Sequence, residues 1–386
     1  MDDVMKRNPY YTLEMINGVP YLLPFGQNIA DHNASFQLNE TGVFLWNHLS
    51  EAENEQQLLD LLLMDEPMNA AERAEARNDL SEFIHTLISA NVILYEPEPK
   101  DEPYALVSIA GIVLGFCGME GMMPKAFEAF QISGGAACDL KLTVLPGRGG
   151  LNSGETVLLH NRELNVYETA ERWHLEFPSF DNITSVVIDK KLTHAEIYVR
   201  YEQEKALLKE NLFHVIRHIF LLKAQSLGYF AIHSASVLYR GRAYLFSGPS
   251  GTGKSTHTSF WREAFGTEDL NGDLNLLSAD GQVYGIPWCG TSGIFTVKQV
   301  PLGGIIFLKQ AKEDRVELLE ADRKSMRIVQ RLISPSYVKE QLQANVEFAV
   351  NLGKRIPCWR LQCTKNVSAA ALMKETIDHY LNRGVQ

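Results

Sequence analysis

The run Gly248-Pro-Ser-Gly-Thr-Gly-Lys-Ser-Thr256 sets three glycines, a lysine and several hydroxyls in the spacing that cradles a nucleoside triphosphate. Gly248, Gly251 and Gly253 let the backbone turn tightly and aim successive N–H groups at phosphate oxygens, and a helix leaving the loop adds its positive end. Lys254 is expected to reach the β- and γ-phosphates and the Ser255 hydroxyl to ligate Mg2+, with Ser250, Thr252 and Thr256 completing the loop. The chemistry implied is binding of ATP, or another nucleoside triphosphate, with magnesium. Arg242-Ala-Tyr-Leu-Phe-Ser247 reads as a buried strand entering the loop and residues 257–265 as a helix leaving it. A chance Gly/Ser-rich turn would lack that strand–turn–helix setting.

Two residues outside the loop narrow the chemistry. His233 lies fifteen residues before Gly248 in a strand-like segment, and Asp273 lies within Leu270-Asn-Gly-Asp-Leu-Asn-Leu-Leu277 after the loop helix. Phosphate-loop enzymes need a carboxylate on the metal at the end of a neighbouring strand, which makes Asp273 the metal candidate and Asp269 and Asp280 weaker ones. Each has a plainer reading: a strand-end histidine is usually a core or surface residue, and Asp273 also suits the start of a turn. The arrangement resembles the HPr kinase family, whose catalytic domain is similar to that of phosphoenolpyruvate carboxykinase. In that family a histidine precedes the phosphate loop and an Asp-Asp pair follows its helix. The resemblance implies catalytic roles for His233, Lys254 and Asp273, metal binding by Ser255 and Asp273, and phosphoryl transfer from ATP to a hydroxyl. Some members also run a phosphorylase reaction. The departure is Gly272, which stands in place of the first aspartate and leaves one carboxylate for metal binding and base catalysis. The base is then His233, Asp273, a water or a residue elsewhere. The Gly-Pro-rich segment Val283–Gly293, around Trp288, is read either as a pocket wall or as core. No basic residue between Lys298 and Arg331 stands out.

The elements that must carry these residues form three zones. The first holds two short strands, Thr12–Ile16 and Pro20–Leu23, joined at Asn17-Gly18, and a strand near Phe36. A helix follows, with Val43, Phe44, Trp46 and Leu49 at helical spacing and Asn39 or Thr41 as cap. Helices over Asn54–Met64 and Ala70–Ser89 come next, the latter with a stripe of Leu80, Phe83, Ile84, Leu87 and Ile88. This order is similar to the small peptide chaperone of pyrroloquinoline-quinone biosynthesis (PqqD), also called the RiPP recognition element. The resemblance implies a winged-helix-like module that accepts a leader peptide as an added strand, here along Ala34–Leu38 and against the Ala76–Leu87 helix. A plain winged-helix dimerisation or regulatory module is the alternative. The stretch Glu96–Pro103, with three prolines and four acids, reads as an extended connector. Beyond it come short strands at Ala105–Phe116, Leu140–Leu145 and Thr156–Leu159, then a helix over Glu204–Ser226.

The fold class expected is therefore a mixed α/β and α+β multidomain chain. Residues 1–97 form a PqqD-like peptide-recognition domain, 98–103 a linker, and 104–386 an HPr kinase-like ATP-binding domain whose residues 104–200 are its strand-rich first part. The net charge of −11 and the lack of a basic run exclude a nucleic-acid partner, and no apolar run reaches membrane-spanning length. The start of the chain reads as neither secretory signal nor transit peptide, which favours the cytoplasm. Five scattered cysteines without a Cys-x-x-Cys pair read as buried thiols rather than a disulfide framework or a zinc site. A homo-oligomer is compatible with the sequence. The expected activity is an ATP-dependent kinase acting on a Ser/Thr hydroxyl of a ribosomally made peptide or small protein. The alternatives are a small-molecule hydroxyl kinase with a regulatory N-terminal domain and a non-catalytic nucleotide- and peptide-binding module.

Overall fold

The computed structural model describes residues 4–25, 35–52, 55–63, 69–90, 92–96, 102–147, 156–200, 205–335 and 337–383. The chain divides into two compact units. The first takes residues 1–106, 115–124 and 139–213; the second takes 107–114, 125–138 and 214–386.

The first unit opens with β1 (Val4–Arg7), β2 (Tyr11–Ile16), β3 (Val19–Pro24) and β4 (Phe36–Gln37), then α1 (Glu40–His48), α2 (Glu55–Leu62), α3 (Ala70–Ser89) and β5 (Ile93–Glu96). Strands β2 and β3 make the expected hairpin, with Asn17 (φ 53°) and Gly18 (φ 82°) supplying the left-handed pair that a two-residue turn requires, and β4 pairs with β3. Asn39, not Thr41, caps α1, its Oδ1 accepting the Gly42 N–H at 2.8 Å. In α3, Asn69 and Glu72 form a reciprocal capping box. The stripe Leu80, Ile84, Leu87 and Ile88 is buried with Trp46, Leu49 and Leu58, and Phe83 packs at its margin. Each of these aliphatic side chains contributes roughly 1.5–3 kcal/mol by leaving water. Unanticipated from local pattern is the antiparallel pairing of β1 with β5, Val4 opposite Glu96, which makes Glu96 a strand residue rather than the start of a connector. Ala34, Asn54, Met64 and linker residues 98–101 lie outside the described residues, as does Glu204, the expected start of the long helix.

A hairpin of β6 (Ala105–Ile109) and β7 (Ile112–Gly118) follows, divided between the units, and then β8 (Gln131–Ile132) in the second. The first unit resumes with β9 (Leu140–Pro146), β10 (Thr156–His160), β11 (Asn165–Glu168), β12 (Arg172–Glu176), β13 (Ile183–Asp189) and β14 (His194–Val199). Strands β10 to β14 form an antiparallel meander, and β14 closes parallel to β9. The division thus differs from a single ATP-binding domain over 104–386. Residues 139–213 group with the N-terminal zone, where Gly147, at the end of β9, lies against Ile88 of α3.

After α4 (Lys205–Ser226), the second unit carries β15 (Tyr229–His233), β16 (Ala235–Tyr239), β17 (Arg242–Ser247), α5 (Lys254–Phe265), β18 (Glu268–Asn271), β19 (Leu274–Ser278), β20 (Gln282–Tyr284) and β21 (Gln299–Gln310). It ends with β22 (Arg315–Leu318), α6 (Ala321–Val329), β23 (Leu332–Ile333), α7 (Lys339–Arg355), β24 (Cys358–Cys363) and α8 (Val367–Arg383). The mixed sheet runs β18-β16-β17-β21-β20-β19-β15-β23, with β24 parallel to β21. Strand β17 is buried on both faces: Ala243 and Leu245 point into a core with Phe348 and Leu352, Tyr244 and Phe246 into one with Trp261, Trp359 and Met373. Cys117, Cys289, Cys358 and Cys363 are buried and Cys138 half-buried, all outside any disulfide, and burial pushes Cys358 up to about 12. Among the described residues no helix is long and apolar enough to cross a membrane.

Two histidines, buried His257 and half-buried His218, tie this unit to pH. Burial pushes His218 and His257 down to about 4, Arg217 adding to the shift at His218 and Asp314 opposing it at His257. His257 stacks on Phe246 at 6.0 Å with its Nδ1 unpartnered. The unfolded chain takes up these protons near 6.5 while the fold resists them. Their contribution to stability is therefore present above pH 6.5 and is lost as pH falls toward about 4. Denaturant midpoints measured across this range are expected to fall on acidification, and His257→Phe, which keeps the ring packing, to make the decline shallower. An unchanged slope would contradict this assignment.

Candidate active site

The loop grows out of the middle of the sheet. Strand β17 has β16 antiparallel on one side and β21 parallel on the other. Ser247, at its end, donates to the His233 carbonyl at 2.7 Å and ties the loop entrance to the end of β15. Gly251 (φ 76°) and Gly253 (φ 102°) adopt left-handed backbone that other residues resist. Gly248 is required for a different reason: a Cβ there would stand 2.6 Å from the Thr252 hydroxyl oxygen. That hydroxyl donates to the Pro249 carbonyl at 2.7 Å, and the Gln310 amide donates to the Gly251 carbonyl at 3.0 Å, so the loop is braced from inside and from β21.

Helix α5 then begins at Lys254 with Gly253 as its N-cap, no side-chain cap and no acid in its first turn. Its first amides are left for an external acceptor at the positive end of the helix dipole. Ser250, Ser255 and Thr256 are exposed, and Thr252 is half-buried. Lys254 folds back over the loop, its Nζ 3.4 Å from the Gly248 carbonyl. Burial lowers its pKa, the Asp273 carboxylate opposes that shift, and the charge of Arg331 adds to it. These features fit a polyphosphate.

The acidic turn is brought alongside by strand register. Strands β15 and β19 pair with His233 opposite Leu274, which sets His233 next to Asp273. His233 Nε2 lies 3.0 Å from Asp273 Oδ1. This hydrogen bond is the leading cause that holds the Asp273 carboxyl below the usual carboxylate range, with burial opposing and the charges of Lys254 and Arg217 supporting. His233, Lys254 and Asp273 are thus brought together; Asp269 and Asp280 are not. Asp269 pairs with Arg262 at 2.5 Å, and Asp280 takes the Ser278 hydroxyl. Among the described residues no cluster of three or more His, Cys, Asp and Glu side chains could hold a metal alone. Mg2+ needs only one or two carboxylates when phosphates and waters supply the rest, so Asp273 and Ser255 are a sufficient protein share.

Several determinants of this geometry escape local reading. Asn271, fully buried, accepts the Asp273 and Leu274 N–H groups at 2.8 and 2.9 Å through Oδ1, the turn that aims Asp273. Its amide donates to the Ile286 carbonyl at 2.7 Å. Trp288 is core, ringed by Phe127 and Phe220, so the segment Val283–Gly293 shapes the site with its backbone instead of its indole. Gly290 (φ 60°) rests on Asp273, where a Cβ would come within 2.9 Å of the carboxyl carbon. The Gly272 departure has a steric cause: a Cβ there would stand 2.6 Å from the Ser292 Cβ. The Asn-Gly-Asp run was the one sequence signal for this turn.

Residues 29–93 match the family model of coenzyme PQQ synthesis protein D (PqqD). They form a PqqD-like domain. The match spans α1, α2 and α3 together with β4. No curated protein matches the chain.

Gly272→Ala is expected to cost about 1–3 kcal/mol by overpacking. Adding Ser292→Gly in the same chain is expected to recover most of that loss, as read from denaturant midpoints of the two single variants and the double. Purely additive effects would show that Ser292 is not what excludes a side chain at 272.

Proposed function

We propose that this chain is an ATP-dependent kinase that phosphorylates a Ser or Thr hydroxyl on a ribosomally made peptide or small protein. The observation that carries the reading is the uncapped start of α5, with Lys254 over the loop and within electrostatic reach of the hydrogen-bonded His233–Asp273 pair. An unneutralised helix start, a half-buried cation and an ionised carboxylate side by side suit transfer of a phosphoryl group more than simple retention of a nucleotide.

In this reading the loop amides and Lys254 hold the triphosphate of ATP. Ser255 and Asp273 hold Mg2+, which supplies charge neutralisation at the phosphates. The acceptor oxygen attacks the γ-phosphorus as the bridging P–O bond breaks, ADP leaves, and the hydroxyl proton passes to the His233–Asp273 pair. The carboxyl of Asp273, held below the usual range, is ionised at neutral pH and ready to serve. The PqqD-like domain supports a peptide as acceptor, because domains of this kind bind peptides. Among the described residues β4 pairs with β3 on one side only, and α3 supplies the partly buried Ala76 and Phe83 along the expected groove. A leader held there raises the effective concentration of the acceptor.

The test is mass spectrometry of peptides encoded beside the gene after incubation with the full chain and Mg-ATP. One added phosphoryl group is expected, with the rate falling by about 10²–10³-fold in Lys254→Ala. Transfer to small metabolites but to no such peptide would overturn the acceptor assignment. Transfer undiminished in Lys254→Ala would overturn the site.

A further inference from the structure

Beside the phosphate loop lies a cavity that Lys254, Ser255 and Asp273 do not line. It measures about 330 Å3 and is walled on one side by Pro249, Ser250, Gly251 and Thr252 and on the other by Arg327, Arg331 and Arg360. Among the described residues that line it, none is acidic.

Three elements deliver these arginines. Arg327 sits in the last turn of α6, Arg331 just beyond it before β23, and Arg360 in the middle of β24 opposite Phe307. The backbone of Arg331 is fixed, its carbonyl accepting the His233 N–H at 2.9 Å. All three residues are half-buried. Arg327 lies over the Phe307 ring, 5.9 Å from its centroid. Glu317 lies 3.9 Å from Arg360 and is shared with Arg323 at 3.2 Å. Glu317 thus answers Arg323 and Arg360 directly and Arg327 through its charge. Arg360 Nε is buried without a hydrogen-bond partner. Burial lowers the Arg327 pKa, and the charges of Arg360 and Arg331 lower it further, Glu317 opposing.

Like charges crowded into a half-buried wall destabilise a fold unless an anion answers them, and planar guanidinium forks match the oxygens of phosphate. In a chain of net charge −11, this concentration of cations is a local departure. We infer that the cavity between Pro249–Thr252 and Arg327, Arg331 and Arg360 is a subsite for a second phosphate-class oxyanion, bound together with the triphosphate. The inference rests on the nucleotide reading of the loop. Its ligand is inorganic phosphate or a phosphate monoester carried by an acceptor, which share this chemistry.

The experiment loads the full chain with Mg2+ and a non-hydrolysable ATP analogue, which fills the γ-position, and titrates in inorganic phosphate by calorimetry. Phosphate is expected to bind the loaded protein, and Arg327→Gln and Arg360→Gln each to weaken it at least tenfold while analogue affinity changes less than twofold. Arg323→Gln, outside the cavity, is expected to leave phosphate binding unchanged. Analogue binding without phosphate binding in the unaltered protein would overturn the subsite, as would phosphate binding indifferent to both variants. Failure of the analogue itself to bind would instead overturn the nucleotide reading. Displacement of phosphate by O-phosphoserine would assign the subsite to a phosphate on an acceptor, and its failure to displace would assign it to free phosphate.

Discussion

The candidate site depends on a small polar network buried between strands. Ser236 donates to Asn275 Oδ1 at 2.7 Å, Asn275 donates to the Ser234 carbonyl at 2.6 Å, and the Asn271 N–H donates to Ser236 at 3.0 Å. All four side chains are completely buried. Polar groups this deep are tolerable only when paired, so the network admits one register of β15, β16, β18 and β19. That register sets His233 beside Asp273 and turns the acidic residue toward the loop. A slip by one residue would reverse the face on which each side chain lies.

Glycine and serine placement completes what the network begins. Gly290 must lack a side chain because Asp273 occupies the space, and Gly272 must lack one because Ser292 does. The hydroxyl of Ser292 in turn donates to the Cys289 carbonyl at 2.6 Å, closing the tight turn 290–292. The absence of a second aspartate is therefore built into the packing, and one carboxylate works with a histidine partner. Electrostatics follow the same economy. Asp273 answers Lys254 and Arg217 and is hydrogen-bonded to His233, and its ionised form is stabilised accordingly.

Around this centre a strongly acidic chain gathers cations near the phosphate loop. Lys254 and Arg217 act on Asp273, while Arg327, Arg331 and Arg360 line a cavity with Pro249–Thr252, and the charge of Arg331 reaches Lys254. The PqqD-like domain adds a separate recognition element in the other compact unit, built on its own apolar core around Trp46, Leu58 and Ile84.

The amino-acid sequence by itself determined whatever depends on neighbours along the chain. The strand–turn–helix setting of residues 248–256, the Asn17-Gly18 hairpin and the span of α3 were all legible because glycine conformations, capping residues and helical periodicity act within a few positions. The tertiary structure alone decided what depends on residues far apart. The pairing of β1 with β5 joins segments some ninety residues distant. The contact of His233 with Asp273 follows from strand register, the fit at Gly272 from a turn twenty residues on, and the arginine wall from two helix-end residues meeting a strand. Strand pairing and close packing carry no local periodicity that names the partner, so the sequence announced the residues of the loop but not the company they keep.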